Sequence, residues 1–186
     1  MNKGALAGVT HPIVHGEIFI QRIEAGAGGL ASFEFESIPQ TFENLRIRWM
    51  GRSLTATDFE EVRLRVNNDS SAIYNTNKQF WFGNITRTPS TETGGTSFGA
   101  GVIPANTATA GRTGGGELLL TSYARPIFHK NVNGHNTASR GAAADDQFMY
   151  LIGGVWMSIV PITRLSLFPV GGSWATGSIA TLYGLA

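Results

Sequence analysis

Three short runs in the first 66 residues of the chain alternate strictly between apolar and polar or charged residues. They are residues 32–36 (SFEFE), 45–49 (LRIRW) and 62–66 (VRLRV). Successive side chains of a β-strand point to opposite faces, so each run predicts a strand with one buried apolar face and one charged outer face. Strands of this kind bury their apolar faces when one sheet packs on another, which points to an all-β protein.

The outer faces of these runs carry charges of both signs. The acidic side chains are Glu34 and Glu36, and the basic ones are Arg46, Arg48, Arg63 and Arg65. If the strands are neighbours, we expect cross-strand ion pairs, each worth a few tenths of a kcal/mol. The alternative is that the four arginines bind a phosphate or carboxylate of a partner. The even mixture of signs favours ion pairs.

The chain closes on two apolar, β-prone runs, residues 162–169 and 178–185, joined by a loop that holds three glycines and Trp174. β-branched and aromatic residues occupy both runs, and Gly and Pro punctuate them, which predicts a closing antiparallel strand pair. A terminal strand this apolar is expected to lie inside a sheet.

The distribution of glycine and turn residues sets the architecture. The 186 residues include 24 glycines, which suits tight turns between short strands. About eight to ten short strands, separated by turns every 8–12 residues or so, predict one antiparallel β-sandwich of jelly-roll type over residues 17–186. Residues 88–116 are mostly Gly, Thr, Ser and Ala, and we expect a long loop there, with its middle held by a short strand around Phe98 and residues 102–104.

The remaining composition restricts the partners. Residues 1–16 are small and irregular and predict an N-terminal arm that anchors the protein to a particle or to a neighbouring subunit. The net charge of +1 gives no reason to expect a nucleic-acid or membrane-surface partner. The chain has no cysteine, so its stability is expected to come from packing or oligomerisation.

No motif in the sequence indicates catalysis strongly. We expect no catalytic residue, metal ion or cofactor, because His11 and His15 flank Pro12 and because His129 and His135 flank an Asn-Gly turn in a predicted loop. A glycosidase needs two carboxylates about 5–10 Å apart. The candidates are Glu92, Glu117, Asp145 and Asp146, and no pairing among them stands out. Trp81 and Trp174 are candidates for stacking on a sugar ring.

Several segments resemble a group of small virion proteins of tailed bacteriophages. The matching segments are residues 37–45 (SIPQTFENL), 62–67 (VRLRVN), 162–169 (ITRLSLFP), 172–178 (GSWATGS) and 182–184 (LYG). The resemblance extends over residues 18–185 and carries no catalytic residue. It implies a β-rich, non-enzymatic structural protein that forms a head decoration, spike or fibre, or a part of the tail or baseplate.

We therefore expect a virion protein that is assembled in the host cytoplasm as a homo-oligomer, with a trimer favoured. Two alternatives remain open. The first is a carbohydrate-binding or host-receptor-binding module of a phage tail or spike, which would use Trp81 or Trp174. The second is a glycan-degrading tail component, which would use a carboxylate pair such as Glu117 with Asp145.

Overall fold

A computed structural model describes residues 16–83, 88–143 and 146–186 of the chain. Most of these residues lie in β-strands or in the turns that join them. Within these ranges, no helix is long and apolar enough to cross a membrane. Residues 1–15, which make up nearly all of the predicted arm, lie outside the described residues, as does Asp145.

Twelve strands follow one another along the described parts of the chain. They are β1 (Glu17–Glu24), β2 (Phe33–Phe35), β3 (Asn44–Gly51), β4 (Phe59–Val66), β5 (Tyr74–Phe82), β6 (Thr88–Gly95), β7 (Phe98–Pro104), β8 (Gly114–Thr121), β9 (Lys130–Ser139), β10 (Gln147–Trp156), β11 (Leu165–Pro169) and β12 (Ile179–Leu185). They form an eight-stranded sheet in the order β1-β12-β3-β8-β9-β10-β5-β6 and a four-stranded sheet in the order β2-β11-β4-β7.

The strand order is that of a jelly roll. Along the chain, strands of the two sheets alternate: β1, β12, β3 and β8 are neighbours in the larger sheet, and β2, β11, β4 and β7 form the smaller one. The buried side chains of the two sheets share one core. These eight strands contain the two interleaved Greek keys of that fold. Two hairpins, β5–β6 and β9–β10, extend the larger sheet beyond β8. The predicted antiparallel sandwich of jelly-roll type is confirmed.

The core follows the alternation in the sequence. Leu45, Ile47 and Trp49 of β3 point inward from the larger sheet. Val62, Leu64 and Val66 of β4 point inward from the smaller sheet. Burying side chains of this size stabilises the fold by about 1.5–3 kcal/mol each. Both strands carry their arginines on the opposite, outer face, as their sequences predict.

The two closing runs do not pair with each other, contrary to the expectation from sequence. β11 lies between β2 and β4 in the smaller sheet, whereas β12 lies between β1 and β3 in the larger sheet. The loop between them crosses the sandwich and buries Trp174. The local sequence pattern identified both strands correctly. Their pairing partners are strands from the first third of the chain or just beyond it, which the local pattern does not reveal. The expectation that the terminal strand lies inside a sheet is confirmed.

Residues 88–116 were expected to form a long loop around one short strand; the short strand is present as β7, but the expectation of a long loop is wrong. They contain β6, β7 and the start of β8. β7 is buried over its whole length, because the hairpin extension of the larger sheet covers it. Its small residues leave room for the buried amide of Asn136, which accepts a hydrogen bond from the Val102 N–H at 2.9 Å and donates one to the Gly115 carbonyl at 3.0 Å.

Candidate interaction surfaces

The outer face of the larger sheet displays one side chain from every second position of its strands. Along one row, Arg48 of β3 lies opposite Glu117 of β8, Glu117 opposite His135 of β9, and His135 opposite Leu151 of β10. The face contains an open depression of about 630 Å³ around Glu117, His135 and Leu151. A second, of about 600 Å³, lies around Met50 and Gly115.

Arg46 and Arg48 lie on this face and both contact Glu17 of β1. Arg48 donates to Glu17 at 2.8 Å through Nη1 and to Glu117 at 3.1 Å through Nε. Burial disfavours the charged form of the Glu117 carboxyl, but the hydrogen bond from Arg48 and the charges of both arginines outweigh it and lower its pKa. The hydrogen bond to Glu117 also raises the pKa of Arg48.

Arg63 and Arg65 lie on the opposite side of the molecule, on the outer face of the smaller sheet. Arg63 contacts Glu92 at 2.7 Å and Glu61 at 3.0 Å. The guanidinium carbon of Arg65 lies 5.0 Å from the centre of the Phe168 ring. The four arginines therefore do not form one cluster, because β3 and β4 belong to different sheets.

Glu34 and Glu36 pair with an arginine that the sequence did not single out. Arg164 donates to Glu34 at 2.9 Å and to Glu36 at 3.0 Å. Glu34 also accepts a hydrogen bond from Ser166 at 2.6 Å. Cross-strand ion pairs are present as expected, but their partners differ, because β2 lies next to β11 and away from β3 and β4.

Trp174 cannot contact a ligand from its position in the structure. Its side chain is fully buried, with its ring centre 4.7 Å from that of Phe33. The indole N–H donates to the Leu167 carbonyl at 3.1 Å. The expectation that Trp174 is available for a sugar or a partner is therefore wrong. The loop carries this residue into the core, where its N–H is satisfied by β11.

Trp81 lies on the outer face of the larger sheet and is half-buried. Its neighbours Phe80 and Phe82 point to the other face, so the alternation of the strand turns Trp81 outward. It is opposite Met149 of β10 in the strand pairing. Asn77 and Gln79 point the same way on the same strand. The structure thus keeps Trp81 as a candidate contact residue.

The candidate acidic groups do not converge on one site among the described residues. Glu92 contacts Arg63, Glu117 contacts Arg48, and Asp146 contacts Arg140. His135 lies on β9, within a segment that was expected to be a loop, and no group of three or more His, Asp or Glu in the described ranges could hold a metal ion. His11, His15 and Asp145 lie outside those ranges.

The sequence did not predict an aromatic groove at the end of the sandwich where β4 begins. This aromatic groove has a volume of about 600 Å³ and is lined by Phe59, Phe80, Phe82, Thr88, Arg140, Phe148 and Tyr150. The guanidinium carbon of Arg140 lies 4.7 Å from the Phe82 ring centre. Burial raises the pKa of Tyr150 to about 12. The feature of the sequence that indicated this aromatic groove was the aromatic run at residues 80–82.

An exposed apolar surface, here called the tip patch, lies at the opposite end of the sandwich. The tip patch consists of Ile127, Phe128, Ile159 and Val160, which are 50–63% exposed. Lys130 is buried between the two loops that carry it and donates to the carbonyls of Phe128 at 3.0 Å and Ile159 at 3.3 Å. Burial lowers the pKa of this ammonium group. The sequence signal was an apolar pair next to a proline in each loop.

Comparison of the sequence with protein-family models and with curated proteins gives no match to either.

Proposed function

We propose that this protein is a structural component of a tailed-bacteriophage virion that assembles on the particle as a small homo-oligomer, with a trimer favoured. The observation that carries the proposal is the tip patch on a jelly-roll domain. Jelly rolls are a common architecture of viral capsid domains. Exposed apolar surfaces of this kind mark protein interaction sites in soluble proteins. The segments that resemble phage virion proteins add support.

The charged side chains fit a structural role. Each of Glu92, Glu117 and Asp146 forms an ion pair with an arginine. A glycosidase needs one carboxyl group that keeps a proton at working pH, which calls for a raised pKa. The pKa of Glu117 is shifted in the other direction. A non-enzymatic role is therefore our proposal.

The assembly part of the proposal is tested by light scattering coupled to size-exclusion chromatography. The purified chain is expected to elute as an oligomer, with three times the 19.9 kDa mass of one chain as the favoured value. Dilution should dissociate it, because association depends on concentration. A chain that stays monomeric at high micromolar concentration would contradict the proposal.

A second candidate function is binding of a host-surface glycan by the outer face of the larger sheet. The observation that favours it is Trp81, whose neighbours on that face include Asn77 and Gln79. An aromatic ring beside amide groups provides a stacking surface and hydrogen-bond donors for a sugar.

A glycan array probed with the wild type and with Trp81→Ala tests this second candidate. Binding to defined glycans that falls at least about tenfold in Trp81→Ala would support it. Thr137→Ala, on the same face of β9, serves as the control for non-specific effects. Absence of binding by the wild type, or equal binding by Trp81→Ala, would dismiss it.

A further inference from the structure

We infer that the tip patch binds residues 1–15 of a neighbouring copy of this chain. The inference rests on the proposed assembly and names the two surfaces that form the contact between copies. It also gives the N-terminal arm a docking site.

The tip patch is exposed, and hydrogen bonds connect the two loops that form it. The Lys130 ammonium group donates to carbonyl groups on both loops, including those of Phe128 and Ile159. The Ile162 N–H donates to the Tyr123 carbonyl at 3.0 Å and closes the base of the same pair of loops. A patch held in this way loses little conformational entropy when a partner binds.

Strand β1 begins at the same end of the sandwich as the tip patch. Glu17 pairs with Leu185, Leu185 with Asn44, Asn44 with Thr121, and Thr121 with Asn131. One loop of the tip patch leads into β9 at this end of the sheet, and the other loop follows β10 at the same end. β1 is an edge strand of the larger sheet, so the described part of the chain begins at the rim of the molecule.

The composition of residues 1–15 complements an apolar surface. Lys3 is the one Lys, Arg, Asp or Glu among them, and the large apolar side chains are Met1, Leu6, Val9, Ile13 and Val14. Fifteen extended residues reach about 50 Å, far enough to extend from the rim of one sandwich onto a neighbouring one. Apolar side chains of the arm would remove the tip patch from water, which is the main favourable term in such contacts.

The proposed contact joins two different surfaces, the arm of one copy and the tip patch of the next. A contact of this type closes in a two-fold dimer when each copy's arm binds the other copy, and in a larger ring when the rotation between copies is right. A three-membered ring is one of these closed arrangements and is compatible with the trimer favoured above.

A complementation experiment tests the docking. One variant lacks residues 1–15 and keeps its tip patch; the other keeps the arm and carries Ile127→Ser and Phe128→Ser. Each variant alone is expected to be monomeric by light scattering, because one of the two surfaces is missing. An equimolar mixture should form a complex that contains both chains, since the intact arm of one can bind the intact tip patch of the other.

Both altered side chains are more than 60% exposed, so the serine substitutions should leave the thermal unfolding transition in place. Met50→Ser with Met149→Ser, on the outer face of the larger sheet, is the matched control and should assemble like the wild type. Residues 1–15 as a synthetic peptide should bind the truncated chain, with affinity at least about tenfold lower for a truncated chain carrying the serine substitutions.

Three outcomes would overturn the inference. If the mixture stays monomeric while the full-length chain is oligomeric, copies associate through other surfaces and the assembly proposal stands without this contact. If the full-length chain is monomeric and the peptide still binds the tip patch, the arm covers its own domain. If the truncated chain alone remains oligomeric, the arm is not the connecting segment.

Discussion

The indole ring of Trp174 lies 4.7 Å from the phenyl ring of Phe33, with the two planes tilted by 37°. Phe33 belongs to β2 at the edge of the smaller sheet. Trp174 belongs to the loop that carries the chain from β11 in the smaller sheet to β12 in the larger one. The backbone of Trp174 also pairs with that of Leu30 and Ser53. The contact therefore fixes the loop between β11 and β12 in the core of the sandwich.

Trp174→Ala is expected to lower the free energy of unfolding by about 3–5 kcal/mol, because it leaves a large cavity between the sheets. Urea unfolding followed by circular dichroism measures the change. Trp81→Ala, on the half-buried outer surface, is the control and should cost clearly less. Equal losses for the two variants would contradict the assignment of Trp174 to the core.

Tyr74→Phe is expected to lower the free energy of unfolding by about 1–3 kcal/mol at pH 7, because it leaves buried backbone groups without a partner. The Tyr74 hydroxyl donates to the Asp69 carbonyl at 2.9 Å and accepts from the Val66 N–H at 3.1 Å. Tyr183→Phe, on the outer face of β12, should be close to neutral. Chemical unfolding of the two variants provides the comparison.

The same tyrosine should make the fold sensitive to alkali. Burial raises the pKa of Tyr74 from 10.0 to about 12. The unfolded chain therefore loses this proton at lower pH than the folded chain does, and stability falls as the pH rises above 10. Tyr74→Phe should reduce the slope of stability against pH in this range. An unchanged slope would show that the hydroxyl is not buried.

Glu34 should make the fold sensitive to acid. Partial burial opposes ionisation of this carboxyl, but hydrogen bonds from Ser166, Ser32 and Arg164 outweigh it and hold its pKa below 4.5. The unfolded state takes up this proton first as the pH falls. The stabilisation is therefore complete above pH 4.5 and is lost as the pH falls through the lower, folded-state pKa.

Glu34→Gln is expected to cost about 1 kcal/mol at pH 7 and to flatten the acid limb of the curve of stability against pH. Thermal unfolding between pH 3 and 7 gives the curve. Glu24→Gln, which removes an exposed partner of Arg22, should change neither the stability nor the slope measurably. A steep acid limb that persists in Glu34→Gln would assign the sensitivity to other groups.

Much of the fold was predictable where burial is decided locally. The alternation at residues 45–49 and 62–66 identified β3 and β4 and the face that each buries. The stretch at 88–116 was misassigned because its strands are stabilised by pairing and not by an alternating pattern of their own: β6 pairs with the preceding strand β5, and β7 pairs with β4, from which β5 and β6 separate it in the chain. β7 is rich in small residues because other strands cover it closely, and a composition-based rule takes such residues for a loop.

The interaction surfaces were less predictable. Arg46 and Arg63 occur in similar runs, yet they lie on opposite faces of the molecule, because the sheet to which a strand belongs depends on the whole topology. Trp174 follows two glycines, which suggests an exposed turn. Only the crossing of the loop between the sheets explains its burial. The tip patch forms from two loops that are about thirty residues apart and meet around Lys130.

A pair of glycines in neighbouring strands provides a sharp test of the register. A Cβ atom at Gly134 of β9 would overlap the carbonyl oxygen of Glu117, whereas one at Gly153 of β10 would meet nothing within 4 Å. Gly134→Ala is therefore expected to cost at least about 2 kcal/mol or to prevent folding. Gly153→Ala should be neutral or stabilise the fold by up to about 1 kcal/mol, since alanine restricts the unfolded chain.

The central claim, that this protein is assembled on a phage particle, is tested most directly by locating it there. Electron cryomicroscopy of intact virions, produced by a phage that encodes this chain, should show density that fits copies of the jelly-roll domain at a defined position on the head or the tail. Mass spectrometry of the same purified particles should detect the chain. Particles that lack both the density and the chain would contradict the account.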